Sequence, residues 1–274
     1  MLDARVPATR IGQSARFNAA SQSIPRGPKP MPRISNPPAD DMTLNRLLAA
    51  LPQEEWRRWT PHLESVEMPI GRVLVESGLR PRFAYFPTTA IASLQYLMAD
   101  GSSGEIAVVG DEGIVGISLF MGGGAAFSRA IVRGAGRGYR LRASVMMEEF
   151  ERSAVTRHLL LRYTQALVTQ VAQTAICNRH HSVDQQLCRW LLLGLDRSQG
   201  KELQGTQEFI AEMLGVRREG ITQAAGHLQK DGLIRYARGH ILILDRTGLE
   251  HRVCECYSAV AKVYSRLLRD PPSP

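Results

Sequence analysis

The residues best placed to do chemistry are Arg217, Arg218, Glu219 and Gln223. An arginine side chain forks onto guanine O6 and N7, a carboxylate accepts from cytosine N4, and a glutamine amide pairs with adenine N6 and N7. Arg218, Glu219 and Gln223 carry those three groups within about one and a half helical turns. Arg217 stands at the start of the segment, where a cation opposes the helix dipole unless an anion such as a phosphate lies there. Thr206, Thr222 and Arg238 complete the candidate DNA-contacting set. Gln223 also admits a plainer reading, a solvated helix side chain.

To present these groups together, residues 206–229 must form two short amphipathic helices with a tight turn at Gly215. A helix of this size fits the major groove and aims its first turns at base edges. The following segment, 232–245, holds two apolar runs, 233–236 and 241–244, separated by the turn signal Arg238-Gly239. Helix, turn, helix and hairpin make a winged helix, with recognition-helix residues 217–229.

Bulk properties agree without deciding the matter. The 274 residues carry a net charge of +8 with 44% hydrophobic residues. The excess charge is spread along the chain, so charge alone permits a polyanionic partner and no more. No run of 18 or more apolar residues and no leading apolar segment are present, so no membrane span is expected and the expected location is the cytoplasm. The four cysteines, Cys177, Cys188, Cys254 and Cys256, match neither a zinc spacing nor a disulfide framework, so no metal is expected. Cys177 and Cys188 read as core thiols, Cys254-Glu-Cys256 admits a redox pair, and His180-His181 reads as a polar hinge because adjacent residues do not share a helix face. No nucleophile–base set, phosphate loop or cofactor motif is evident, and the Gly122-Gly123-Gly124 run reads as a turn. An enzyme is not expected.

Upstream, residues 1–41 are rich in Pro and Arg and read as a disordered tail. Residues 43–59 suggest a helix or helix pair around Leu44, Leu47, Leu48, Leu51 and Trp56. Short strands at 72–76, 83–87, 90–97, 105–110, 129–133 and 139–143, punctuated by glycines, point to a small barrel or sandwich. A long helix is expected from 145 to 176. Its residues Leu160, Tyr163, Leu167, Val171 and Thr174 follow a 3–4 alternation, suited either to packing on its own barrel or to a dimer seam. A further helix is expected within 246–268.

In this order the parts resemble the CRP/FNR family of bacterial transcription regulators over about residues 43–250. The likeness is strongest at Thr206-Gln-Glu-Phe-Ile-Ala-Glu-Met-Leu-Gly-Val-Arg-Arg-Glu, where the Arg-Glu pair that commonly opens the family's recognition helix falls on Arg218 and Glu219. The resemblance implies an α+β fold: an N-terminal cyclic-nucleotide-binding-like β-roll at 42–149, a long dimerisation helix at 150–178, a C-terminal winged helix-turn-helix at 179–250, and a C-terminal helix and tail at 251–274. It implies a homodimer on double-stranded DNA with a two-fold symmetric operator, and contact with RNA polymerase.

Three departures stand out. Arg217 replaces the serine that usually precedes the Arg-Glu pair, and Gln223 replaces an arginine one turn later. In cyclic-nucleotide binders of the family a Gly-Glu holds the ribose and an Arg-Ser the cyclic phosphate; here the matching places read Gly116-Ile117 and Ser128-Arg129. Ile117 cannot accept from a hydroxyl, and Arg129 is one residue out of step, which on a strand turns it to the other face. The triple-glycine loop leaves room for a restored register. Cyclic AMP is therefore not the expected effector, no cofactor is evident, and no other effector is specified. The competing expectation is a ligand-binding adaptor whose winged helix docks a protein partner.

Overall fold

The computed structural model describes residues 42–198 and 200–269; the expected tail at 1–41 lies outside them. Two short helices come first, α1 (Arg46–Ala49) and α2 (Gln53–Trp59). Asn45 caps α1 through its side-chain oxygen, which accepts from Leu48 N at 3.0 Å, while its amide donates to the carbonyls of Pro87 at 2.8 Å and Gly113 at 2.9 Å. One buried amide thus ties the entry segment to the sheets behind it. Leu47, Leu48, Leu51 and Trp59 face inward, whereas Leu44 is exposed, contrary to the sequence pattern.

Seven strands follow: β1 (Glu64–Met68), β2 (Val73–Val75), β3 (Phe83–Pro87), β4 (Ile91–Leu97), β5 (Ser103–Val109), β6 (Arg129–Gly134) and β7 (Gly136–Arg142). They pair antiparallel in two sheets, ordered β1-β7-β3 and β2-β6-β4-β5, as in a β-roll. Their inward residues, among them Val66, Phe86, Val109, Val132 and Leu141, fill one core.

The helical segment after β7 is not continuous. Ser153 separates α3 (Ala143–Arg152) from α4 (Ala154–His180). Its backbone is extended and its side chain caps α4 by accepting from Thr156 N at 3.1 Å. A serine that bonds its own downstream backbone ends one helix and starts the next.

The face of α4 expected at a dimer seam lies inside the protomer. Leu160, Tyr163, Leu167 and Thr174 are buried and Val171 is half-buried against the same core. The Tyr163 hydroxyl donates to Ile114 O at 3.2 Å. Leu160, Tyr163, Leu167 and Thr174 cannot meet a second copy while the protomer is folded. Periodicity identified a buried face correctly, but its cover is the β-roll together with a C-terminal helix, α9 below. The exposed stripe of α4 holds instead Leu161, Gln165, Val168, Ala172 and Ile176.

His181 ends α4, and α5 (Val183–Leu195) begins with a capping box formed by Ser182 and Gln185. Then come β8 (Glu202–Gln204), α6 (Gln207–Leu214), α7 (Arg218–Lys230), β9 (Ile234–Ala237), β10 (His240–Ile243), α8 (Arg246–Arg252) and α9 (Glu255–Arg269). A second core, built on Leu191, Ile210, Ile221, Leu228 and Ile241, holds α5–α7 and the sheet β8-β10-β9 together. The third strand of that sheet, β8, goes beyond the expected two-stranded wing. The C-terminal helix packs along α4 and buries Val260 and Tyr264. Among the described residues no helix is long and apolar enough to cross a membrane.

Candidate nucleic-acid interface

Thr206 opens α6 as its N-cap, its hydroxyl accepting from Phe209 N at 3.1 Å. The helix ends at Gly215, whose φ of +67° is the left-handed conformation that glycine adopts without a Cβ penalty. The chain thereby reverses and launches α7 three residues later. Ile221, Ala224, Ala225 and Leu228 turn one face of α7 into the second core. The opposite face carries Arg218, Glu219, Thr222, Gln223 and Gly226, all exposed, with Arg217 exposed just ahead of them.

Two exposed interactions organise that face. Thr222 Oγ1 donates to Gln207 Oε1 at 2.7 Å, so Gln207, absent from the sequence-based set, links the two helices of the motif. Arg218 Nε lies 3.8 Å from Glu208 Oε2 with both side chains mostly exposed. An ion pair so long and so wet holds its arginine weakly and releases it readily to a stronger partner. Arg217 occupies the N-cap of α7 without a side-chain capping bond. The first backbone N–H groups of α7 therefore receive no capping side chain from that residue.

The wing turn is built on Arg238, at φ +50°, and Gly239, at φ +81°. Two successive positive φ values close a two-residue hairpin between β9 and β10. The turn leaves Arg238 exposed at the tip of the wing.

The β-roll residues matched to a cyclic-nucleotide pocket are arranged otherwise. Gly116, at φ +113°, precedes a short 3-10 turn, and Ile117 and Ser128 are buried. With Val75, Leu94 and Leu167 they line a void of only about 20 Å³. Small-molecule sites commonly need roughly 300–1,000 Å³. Arg129 is not among the lining residues; its Nε sits 3.5 Å from Glu76 Oε1.

The winged helix is docked on the β-roll. Ser103 Oγ donates to Glu212 Oε1 at 2.5 Å, and Gln95 Nε2 reaches Met213 Sδ at 3.2 Å, so α6 rests on β4 and β5. Arg133 donates from Nη1 to both Glu105 oxygens, at 3.0 and 3.1 Å, and its guanidinium lies 4.5 Å from the Trp190 ring of α5.

Residues 185–252 match the family model of the Crp-like helix-turn-helix domain. The chain carries a Crp-like helix-turn-helix domain. The whole fold agrees. FixK2 from Bradyrhizobium japonicum superposes with a TM-score of 0.59 at 13% identity, covering 70% of this chain and 98% of its own. The c-di-GMP responsive global regulator CLP from Xanthomonas campestris gives 0.55 at 16% identity, covering 71% and 100%. A CRP/FNR family transcriptional regulator from Thermus thermophilus gives 0.54 at 21% identity, covering 71% and 98%. No curated protein is a detectable relative of the chain.

One grouping escaped the sequence pattern. The side chains of Cys177, His181, Cys254 and Cys256 converge, against the expectation that the cysteine spacing holds no metal site. The sequence could signal only half of the group: Cys177 and His181 are four residues apart, one helical turn.

Proposed function

We propose that the protein is a homodimeric, sequence-specific DNA-binding transcription regulator of the CRP/FNR type that does not answer to cyclic AMP. The observation that carries this reading is the exposed polar face of α7. Arg218, Glu219, Thr222 and Gln223, of the types that read bases and phosphates, project from a helix whose other face is locked into the core, with Arg217 exposed just ahead of them. Arg218 reads guanine, Glu219 accepts from cytosine, and Gln223 favours adenine. Arg217, Thr206, Thr222 and Arg238 position the domain on the phosphates.

The exposed stripe of α4 supports the dimer. Leu161 and Val168 are seven residues apart with Gln165 between them, and Ala172 continues the 4–3 alternation of a helix seam. Each protomer then reads one half-site, with half-site centres roughly 34 Å apart. In this reading the effector-like domain spans 42–149, the protein acts in the cytoplasm, and RNA polymerase is its partner in transcription.

The test is selection of bound sequences from random duplex DNA, followed by mobility shifts of the selected operator with the wild type and Arg218→Ala. A symmetric selected site, bound with strong salt dependence and weakened by the substitution, is expected. If no duplex is enriched over the input pool, the regulator reading fails and a protein-docking role for the winged helix takes its place.

A further inference from the structure

Two stretches of chain, far apart in sequence, bring sulfur and nitrogen donors to one point. Cys177 lies in the last turn of α4, His181 ends that helix, and Cys254 and Cys256 flank the start of α9. Their ligand atoms all lie within 4.8 Å of one another. Cys177 Sγ is 3.6 Å from Cys254 Sγ, and Cys256 Sγ is 3.6 Å from His181 Nδ1. A tetrahedral ion bonded at about 2.3 Å to sulfur and 2.0–2.1 Å to nitrogen has edges of about 3.8 Å between sulfurs and about 3.5 Å between sulfur and nitrogen. The Cys177–Cys254 and Cys256–His181 separations match such edges, and all four donors fall within 4.8 Å of one another, close enough to draw in around one ion. Both separations are far longer than a disulfide, about 2.05 Å. The space inside them suits one ion, not a multi-iron cluster.

The surroundings point the same way. His181 Nε2 lies 3.5 Å from Glu255 Oε1, which leaves Nδ1 turned to the sulfurs. A carboxylate on the far ring nitrogen is the usual outer partner of a metal-bound imidazole. The His181 carbonyl accepts from Gln186 Nε2 at 2.9 Å, so the residue is anchored through its backbone as well. All three cysteines are buried, and the buried Arg189 has an Nε without a hydrogen-bond partner. Cys254 and Cys256 also sit at the N-terminal end of a 15-residue helix, where negative charge is favoured.

We propose that Cys177, His181, Cys254 and Cys256 form a closed, mononuclear site for a thiophilic divalent cation of the zinc class, and that the ion pins the α4–α5 hinge to the C-terminal helix. Three thiolates and one imidazole suit zinc and leave no open position for substrate. On binding, the three thiols give their protons to solvent, so the loaded site carries a single net negative charge. All four ligands lie outside the Crp-like domain match, which spans residues 185–252: Cys177 and His181 precede it, and Cys254 and Cys256 follow it. The site therefore adds a clamp at the joint between the long helix and the DNA-binding domain, and it stands whether or not the protein binds DNA.

The test uses the full-length protein, reduced and stripped of metal, titrated with cobalt(II) alone. One equivalent per chain should raise the intense visible bands of tetrahedral cobalt and a thiolate-to-cobalt charge-transfer band, and zinc should abolish both. One equivalent of zinc should also raise the melting temperature of the wild type. The double variant C254S/C256S, checked for an unchanged circular dichroism spectrum, should show neither the bands nor the zinc-dependent rise. If the wild type gives no tetrahedral cobalt spectrum, or takes up iron together with sulfide in its place, the assignment is overturned. Equal signals from the wild type and a folded double variant would overturn it too.

Discussion

Arg197 and Glu112 bind the winged-helix domain to the β-roll from inside the protein. Arg197 Nη2 lies 2.7 Å from Glu112 Oε1, and Nε donates to the same oxygen at 2.8 Å. Arg197 also donates to Leu193 O at 2.9 Å, and the second Glu112 oxygen accepts from Gly110 N at 3.1 Å. Burial is the largest influence and works against the guanidinium charge, but the Glu112 carboxylate, its hydrogen bond, Tyr264 and Asp196 together hold the Arg197 pKa above its ordinary value. Arg197→Ala would leave that carboxylate buried without its cation, which costs about 3–5 kcal/mol. Urea unfolding should show that loss, and the double change Arg197→Met with Glu112→Gln should recover most of it. A loss below 1 kcal/mol for the single variant would mean that water enters and solvates Glu112.

On α4, two neighbouring residues should have opposite phenotypes. Leu167 is buried in the protomer core and Val168 is 58% exposed. Leu167→Ala should cost about 2–5 kcal/mol in folding stability through the cavity it leaves. Val168→Arg should leave the protomer folded and shift sedimentation toward the monomer, with operator affinity falling in parallel. A Val168→Arg protein that remains fully dimeric at low concentration would remove this stripe from the interface.

How far the sequence determines these assignments differs from element to element. The motif of α6, Gly215 and α7 was legible because its cap, its left-handed glycine and its apolar spacing are local features. The inward set of α4 was legible as a face but not as a contact: spacing says that Leu160 and Tyr163 are covered, not whether by the β-roll or by a second chain. The break at Ser153 was hidden because helical sequence runs on both sides of it. Strand β8 buries only Leu203 of its three residues, which is too short a pattern to mark a strand. The Cys177–His181–Cys254–Cys256 group depends on α9 folding back along α4, a long-range event that no spacing records.

Cyclic AMP should leave the protein's affinity for DNA unchanged. The void beside Ile117 and Ser128, about 20 Å³, has room for little more than a water molecule. Titration calorimetry with the nucleotide should give no binding heat, and the mobility shift of the selected operator should not move. A nucleotide-dependent gain in affinity would require the β-roll to open at Gly116 and would overturn the cyclic-AMP-independent reading.

Arg218 and Glu219 should set base preference. Each projects from the exposed face of α7, and Arg218 makes a loose, exposed 3.8 Å contact with Glu208. Arg218→Ala should weaken binding by about 1–3 kcal/mol and relax preference at a single position of each half-site. Glu208→Ala should have little effect on affinity, because the displaced pair is solvent-exposed. Were Arg218→Ala to weaken all sequences equally, the residue would be a phosphate contact and the guanine assignment would fall.

Arg217 and Gln223 should separate affinity from specificity. Arg217 stands at the positive end of α7 with no side-chain capping bond, an arrangement that a phosphate at the helix N-terminus would stabilise. Arg217→Ser supplies a capping hydroxyl and removes one phosphate contact. The logarithmic salt slope of binding should therefore shrink by about 1, with base preference intact. The same serine should raise stability by about 0.5–2 kcal/mol, the usual worth of a good N-cap. Gln223→Ala should do the reverse, keeping the salt slope and flattening the preference for adenine at one position. An unchanged slope for Arg217→Ser, measured beside an unchanged preference for Gln223→Ala, would show that α7 does not meet DNA through its first two turns.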